Sequence, residues 1–231
     1  MARKYRNLPC AYCGAVTGKN TGEHVVPDCL YTSHVPKTFQ WLKIAACEAC
    51  NHGFSISEAH FKGIVSASGQ TPSAARQELI KEVLDSFRHP ISGKTDFLKF
   101  DKQLMDSGKK TEQGQPIFML QPHKDDEVCF IARKIVRGLV HTLDYKTIIP
   151  DNHVRADMHI EPPAEFEDFF ADSYAVPNTF SSRYAIFDPI NFPDFADDIH
   201  SLWQIKLYDL PMTCVVMKKP VQEIETASQS I

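Results

Sequence analysis

Two Cys-x-x-Cys pairs, Cys10/Cys13 and Cys47/Cys50, stand at the front of the chain, with 33 residues between them. Two such pairs supply the four thiolates that a closed, tetrahedral zinc site takes. Because one ion bound by both pairs would join segments that are far apart in sequence, this feature limits how the front of the chain can fold. We therefore predict a structural zinc ion held by all four thiolates. Free core cysteines and a redox-active pair are the alternatives.

The rest of the composition is that of a globular protein. The 231 residues are 43% hydrophobic and 23% charged, which argues against disorder and against a coiled coil. No apolar run reaches the roughly 18 residues that span a bilayer, and the basic start leads into no apolar signal segment. Seven cysteines, an odd number, favour metal binding over a disulfide framework. We expect a cytoplasmic protein that makes no membrane contact.

Charge is unevenly distributed along the chain. Residues 1–65 carry seven Lys and Arg against four acidic residues, a net charge of +3, whereas residues 66–231 carry a net charge of −7. A mildly basic front segment on an acidic body is compatible with phosphate binding by the front segment. A polar stretch with Ser, Gly and Pro follows at 66–72, and we place a domain boundary there. The predicted domains are therefore 1–65 and 66–231.

The second domain is predicted to be α+β. Apolar residues recur every three or four positions over 74–87 and 126–143, which predicts two amphipathic helices. A short acidic helix is expected at 162–171. Strands are predicted at 183–187, 202–208 and 213–218, with a hairpin connection at 209–211. Together these elements indicate two main helices and a small antiparallel sheet.

A second pattern lies between and after the cysteine pairs: Glu23-His24-Val-Val-Pro, then Asn51, then His60. An imidazole with a pKa near 6.5 can take a proton from water at physiological pH, so His24 is a candidate general base. A hydrolysis in which negative charge gathers on the substrate and on the departing group also needs a cation to offset that charge. Glu23 and His60 can hold such an ion, one through oxygen and the other through nitrogen.

This combination resembles the HNH endonucleases of the ββα-metal superfamily, in the subgroup braced by a four-cysteine zinc. The resemblance covers residues 10–61 and rests on five elements in order: the first cysteine pair, Glu-His-x-x-Pro, the second pair, the Asn directly after it and a further His. It implies a treble-clef-like ββα module in which His24 is the base, Glu23 and His60 bind the catalytic metal and Asn51 braces the loop. The implied divalent ion is Mg²⁺, Mn²⁺, Ni²⁺, Co²⁺ or Zn²⁺.

The sequence thus predicts an α+β protein with an N-terminal zinc-braced HNH module, followed by an α+β domain of unassigned role. The predicted function is metal-dependent cleavage of nucleic acid, with DNA the favoured substrate. Two alternatives stay open. One is a non-catalytic zinc module that binds nucleic acid or protein, and the other is an RNA-cleaving nuclease with the same site.

Residues near the motif carry their own structural expectations. Glu58 follows Ser55 at the spacing of a capping box, so we expect it to cap or brace a helix, with a role as a second carboxylate of the site as the alternative. Asn51 and His60 are nine residues apart, which is half a turn out of phase on a straight helix. They therefore face opposite sides unless the helix breaks at Gly53.

Two arginines of the predicted helix 126–143 lie opposite its apolar stripe. We expect Arg133 and Arg137 to lie on a solvated face, with contact to a nucleic-acid backbone as the alternative.

Overall fold

A computed structural model of the protein describes residues 4–67, 73–89, 91, 93–102, 104–120, 127–143, 147–158, 164–177, 179–187, 197–208 and 210–220. The fold is mixed α and β with antiparallel sheets, as the sequence predicts. No helix within these ranges has the length and apolar character needed to cross a membrane.

The front of the chain forms an antiparallel hairpin followed by a long helix. The hairpin strands are β1 (Thr21–His24) and β2 (Lys43–Ala46), and helix α1 spans Glu48–Ala67. Two further helices and a second hairpin follow: α2 (Ala74–Phe87), α3 (Gly93–Asp101), β3 (Leu104–Lys110) and β4 (Pro116–Leu120).

The remaining elements are one helix and a five-stranded sheet. They are α4 (Glu127–Leu143), β5 (Val154–Met158), β6 (Ala171–Val176), β7 (Phe180–Ile186), β8 (Ile199–Leu207) and β9 (Leu210–Met217). The strand order is β5-β9-β8-β7-β6, with every neighbouring pair antiparallel. Short 3-10 turns lie at Asp28–Leu30, Asp151–His153 and Ala164–Phe169.

The two periodic helices are confirmed. Helix α2 begins after Ser73, whose side chain accepts a hydrogen bond from the backbone of Arg76, as an N-cap residue does. Residues Ala164–Phe169 of the predicted acidic helix form a 3-10 helix, and residues 162 and 163 lie outside the described ranges. The predicted end is wrong, because Ala171 begins β6. The predicted hairpin connection is displaced, because β9 begins at Leu210 and the turn contains Tyr208 at a positive φ of 51°.

Helix α4 is the centre of the hydrophobic core. Its side chains are buried on nearly all sides between Val128 and Val140, and it packs against α1, β5 and β9. Most buried residues of the hairpin, α1, α4 and the sheet belong to one continuous cluster, while Ala185, Phe187 and Leu202 form a second, smaller one. Residues from both predicted domains, 1–65 and 66–231, therefore contribute to the same core, and the boundary between them stays a prediction.

Helix α4 crosses the hairpin at Gly138. A Cβ atom at this position would lie 2.9 Å from Val25 Cγ1 and 3.2 Å from Ile44 Cδ1. These separations are shorter than ordinary van der Waals contact, so the helix backbone itself packs on the hairpin. A side chain at this position would force Val25 or the helix to shift, so glycine favours this approach.

A side chain at position 138 should push α4 away from the hairpin. Gly138→Val is expected to lower the free energy of unfolding by about 1–3 kcal/mol, the usual cost of overpacking a core. Gly53→Val is the matched control, because nothing lies within 4 Å of a Cβ at that helical position, and it should change stability by less than about 0.5 kcal/mol. Denaturant unfolding measures both, and equal effects would contradict the close crossing.

Candidate functional site

The four predicted zinc ligands come together at the base of the hairpin. Their sulfur atoms all lie within 4.8 Å of one another, and Cys13 Sγ is 3.7 Å from Cys47 Sγ. The first pair occupies a turn that Gly14 closes at a φ of +78°, with its amide donating to the carbonyl of Cys10 at 2.8 Å. The second pair stands at the start of α1. This arrangement can hold a zinc ion, as the spacing predicts.

A buried cluster of three charged groups lies where the hairpin, α1 and α4 meet. Lys134 of α4 donates a hydrogen bond to Glu23 of β1, with Nζ 2.6 Å from Oε1, and it also bonds to Glu58 of α1. The ammonium is fully buried and both carboxylates are mostly buried. The face of the Phe54 ring lies 5.1 Å from the ammonium nitrogen. Three elements that are distant in sequence thus meet at a single cation.

The position of Glu58 corrects the capping prediction. Helix α1 begins at Glu48, so Ser55 and Glu58 lie inside the helix rather than at its start. The Ser55 hydroxyl donates to the carbonyl of His52, three residues earlier. Glu58 is therefore available to Lys134, and it belongs to the candidate site.

Helical phase explains which residues of α1 face the hairpin. The helix runs without a break through Gly53, and Asn51 and Glu58 are seven residues apart, close to two full turns. The Asn51 side-chain amide donates to Thr21 Oγ1 at 3.3 Å, while Glu58 meets Glu23 through the lysine. Thr21 and Glu23 lie on one face of β1, so one face of α1 lies along one face of the strand.

His60 lies on another side of α1. It is only 7% exposed and two residues beyond Glu58, so the two side chains leave the helix about 200° apart. The pairing of Glu23 with His60 as metal ligands stays a prediction. The carboxylate that shares a cation with Glu23 is Glu58, which the sequence pattern alone did not favour.

His24 ends β1 and is partly buried. Its Nδ1 atom lies 3.5 Å from Asp28 Oδ2, and its ring packs edge-on against Tyr31 and Trp41. Burial lowers the pKa of His24, and the positive charges of Lys43 and Lys134 lower it further, while Asp28 acts in the opposite direction. The imidazole is therefore neutral near pH 7. With Nδ1 directed at Asp28, Nε2 is the atom that can accept a proton.

The electrostatics of the carboxylate cluster reflect its burial. Desolvation raises the pKa of Glu23, although Lys134 opposes the shift through charge and a hydrogen bond, and Glu58 adds to it. Two carboxylates this close together favour a cation between them.

The arginines of α4 correct a further expectation. Arg137 is buried and donates to the carbonyls of Tyr12 at 2.6 Å and Ile149 at 2.7 Å, and to Asp151 at 3.1 Å. Arg133 also pairs with Asp151, at 3.1 Å. The predicted solvated face is therefore wrong for Arg137. Its bond to Tyr12 ties α4 to the turn that carries the first cysteine pair.

Two residues of the site went unpredicted. Asp28 follows His24 at a spacing of four across a proline, and this spacing is the signal that sequence reasoning could have used. Lys134 sits among apolar residues of α4, 111 residues from Glu23, and no local pattern indicates its partners.

Comparisons of the chain with models of protein families, with curated proteins and with solved structures found no match. The resemblance to HNH endonucleases therefore rests on the motif residues themselves.

The thiol cluster predicts one firmly held zinc. The purified protein should contain about one zinc per chain that survives brief chelation, because four thiolates form a closed site whose metal contributes to folding. Cys13→Ala should lose the zinc and lower the thermal midpoint of unfolding. Cys29→Ala, which changes a partly buried thiol outside the cluster, should keep the metal. Elemental analysis measures both, and a wild-type protein free of bound zinc would refute the assignment.

Proposed function

We propose that the protein is a metal-dependent nuclease of the HNH type that hydrolyses phosphodiester bonds, with DNA the favoured substrate and RNA the alternative. The observation that supports this most strongly is the convergence of Glu23 and Glu58 on one cation position, between helix α1 and the hairpin strand that also carries His24. The motif residues in their order supply the second support. In this proposal the four thiolates hold a structural zinc that braces the unit.

The proposed reaction uses His24 as the general base. Its neutral Nε2 takes a proton from water, and the resulting hydroxide attacks the phosphorus atom of the scissile phosphate. The bond from phosphorus to the 3′ oxygen breaks, which leaves a 5′-phosphate and, once the departing oxygen gains a proton, a 3′-hydroxyl. Asp28 holds the imidazole through Nδ1, and Asn51 positions α1 against β1 through Thr21.

The carboxylate pair fits a divalent ion in its donor chemistry. Carboxylate oxygens suit Mg²⁺ and Mn²⁺, and an added imidazole ligand would shift the preference toward Mn²⁺, Co²⁺, Ni²⁺ or Zn²⁺. A bound ion would neutralise charge on the phosphate and the leaving oxygen. Because the Lys134 ammonium lies between the carboxylates, an ion can bind both of them only if the ammonium withdraws.

The same contact favours a second candidate function. A lysine that fills the position between both carboxylates in place of a metal also suits a non-catalytic zinc module that binds nucleic acid or protein. The two candidates differ in one property, because only the nuclease cleaves a plasmid when divalent ions are supplied.

Loss of the proposed base should abolish cleavage. His24→Ala is expected to slow plasmid cleavage by roughly 10²–10⁴-fold, the usual contribution of general-base catalysis, while the fold persists. His34→Ala is the matched control, because His34 is 42% exposed and contacts Glu78 rather than the candidate site, and it should cleave like the wild type. A folded His24→Ala protein with full activity would remove His24 from the mechanism.

Removal of the buried ammonium should open the carboxylate pair to a metal. Lys134→Met leaves two buried carboxylates without a partner, which is expected to cost about 3–5 kcal/mol of stability in metal-free buffer. Mn²⁺ should bind this variant more tightly than the wild type and restore much of the loss, as titration calorimetry and thermal unfolding can measure.

Lys62→Met is the control for this experiment. Lys62 pairs with Glu82 at 2.5 Å on a partly exposed surface, so its loss should cost less than about 1 kcal/mol and leave Mn²⁺ affinity unchanged. Failure of Mn²⁺ to bind or stabilise Lys134→Met would argue that the carboxylates are no metal site.

A further inference from the structure

We propose that the segment from Lys37 to Lys43 binds an unpaired stretch of nucleic acid by stacking bases on Phe39 and Trp41. This inference rests on the proposed nuclease function and names the form of its substrate: a single strand, or a duplex opened locally at the cleaved phosphate. Four alternate residues of this segment form the proposed surface: Lys37, Phe39, Trp41 and Lys43. We call them the aromatic strip.

The sequence of the strip alternates with a period of two. Lysine, phenylalanine, tryptophan and lysine occupy every second position from 37 to 43, and the chain from Phe39 leads directly into β2, which begins at Lys43. Alternate residues of an extended chain share one face. The two rings lie side by side, with centroids 4.9 Å apart, and Lys43 follows two residues later at the start of β2.

Strand register places the strip beside His24. Lys43 is the cross-strand partner of His24, and the pairing continues outward where the amide of Val25 donates to the carbonyl of Leu42 at 3.0 Å. Cross-strand partners lie on the same face of a hairpin. The ring centroids of Trp41 and His24 are accordingly 6.3 Å apart, so a base stacked on the strip would hold its phosphate near the proposed general base.

Neighbouring side chains fix the position of the two aromatic rings of the strip. The Tyr31 ring stacks on Trp41 with centroids 3.9 Å apart and planes at 22°, and the Tyr31 hydroxyl donates to the carbonyl of Val26 at 2.8 Å. Phe39 packs edge-on against Trp41 at 4.9 Å. Both Phe39 and Trp41 remain partly exposed. A fixed, partly exposed aromatic surface loses little freedom when a ligand binds.

Charge complementarity identifies the occupant. Lys37 and Lys43 are exposed at the two ends of the strip, and neither forms an ion pair within the part of the chain that the structure describes. Ammonium groups beside aromatic faces suit a polyanion whose bases are free to stack, which is the general mode of single-strand binding. In an intact duplex the base faces already stack on each other, so the strip favours unpaired nucleotides.

Tryptophan fluorescence reports on the strip directly. The chain has two tryptophans, and Trp203 is 2% exposed with its indole bonded to Ser201 at 2.9 Å. Oligothymidylate, added with no divalent ion so that no cleavage occurs, should therefore quench Trp41. Oligothymidylate should not lower the tryptophan fluorescence of Trp41→Phe. A duplex of equal length should lower the fluorescence of the wild type only slightly.

Binding by the variants is measured with a fluorescently labelled oligothymidylate. Trp41→Leu should weaken binding roughly 5- to 150-fold, the range for loss of one stacked base, whereas Trp41→Phe should keep most of the affinity. Lys43→Gln should reduce the slope of log affinity against log salt by about 0.7, the value for one phosphate contact with a single strand. Lys109→Gln, an exposed lysine on β3, is the control and should bind like the wild type.

The outcomes separate this inference from the nuclease proposal. Quenching and loss of binding in Trp41→Leu, with no cleavage under any divalent ion, would support the strip and overturn the nuclease. Cleavage with an unquenched Trp41, or with duplex binding as tight as single-strand binding, would overturn the strip alone. If Trp41→Leu does not fold by circular dichroism, Trp41→Phe and Lys43→Gln decide. Binding of neither nucleic-acid form would overturn the strip and leave a protein partner as the occupant of this surface.

Discussion

The buried ammonium of Lys134 is the contact on which the arrangement of the site depends. It joins β1, α1 and α4 at one point, and its positive charge lies between two carboxylates that would otherwise face each other away from water. A buried pair of this kind contributes little net stability, but removal of one partner is costly because a desolvated charge is left behind. The geometry of the site is therefore set jointly by the front of the chain and by a helix that lies far along the sequence.

The thiol cluster and the charged cluster restrain the hairpin at two separate points. The cysteines link the turn before β1 to the start of α1, while the lysine links the end of β1 to the third turn of α1. Between these two restraints α1 is joined to the Thr21 and Glu23 face of β1, while His24, which ends the strand, lies against Asp28 and the aromatic rings. Adjacent residues of one strand thus contribute a carboxylate to the buried charged cluster and the partly buried imidazole that we propose as the base.

Local sequence patterns predicted the cysteine cluster and two of the helices. The spacing of the cysteines predicted their convergence, and apolar periodicity predicted α2 and α4, because both signals depend on near neighbours in sequence. Glu58 was misplaced because its spacing from Ser55 fits a cap, whereas the actual start of α1 at Glu48 depends on the cysteine turn. Lys134 and the buried state of Arg137 could not be predicted, since each depends on partners more than ten residues away that only the packed core brings close.

The residue at position 138 sets the distance between α4 and the hairpin. Gly138 lies one helical turn beyond Lys134, on the same face of α4, and the absence of its side chain allows the helix to rest directly on Val25 and Ile44. The distance from the helix axis to the hairpin sets how far the lysine reaches between Glu23 and Glu58. A series of side chains of increasing size at this one position would therefore act as a spacer, grading the separation of the ammonium from both carboxylates without altering any of the three charged groups.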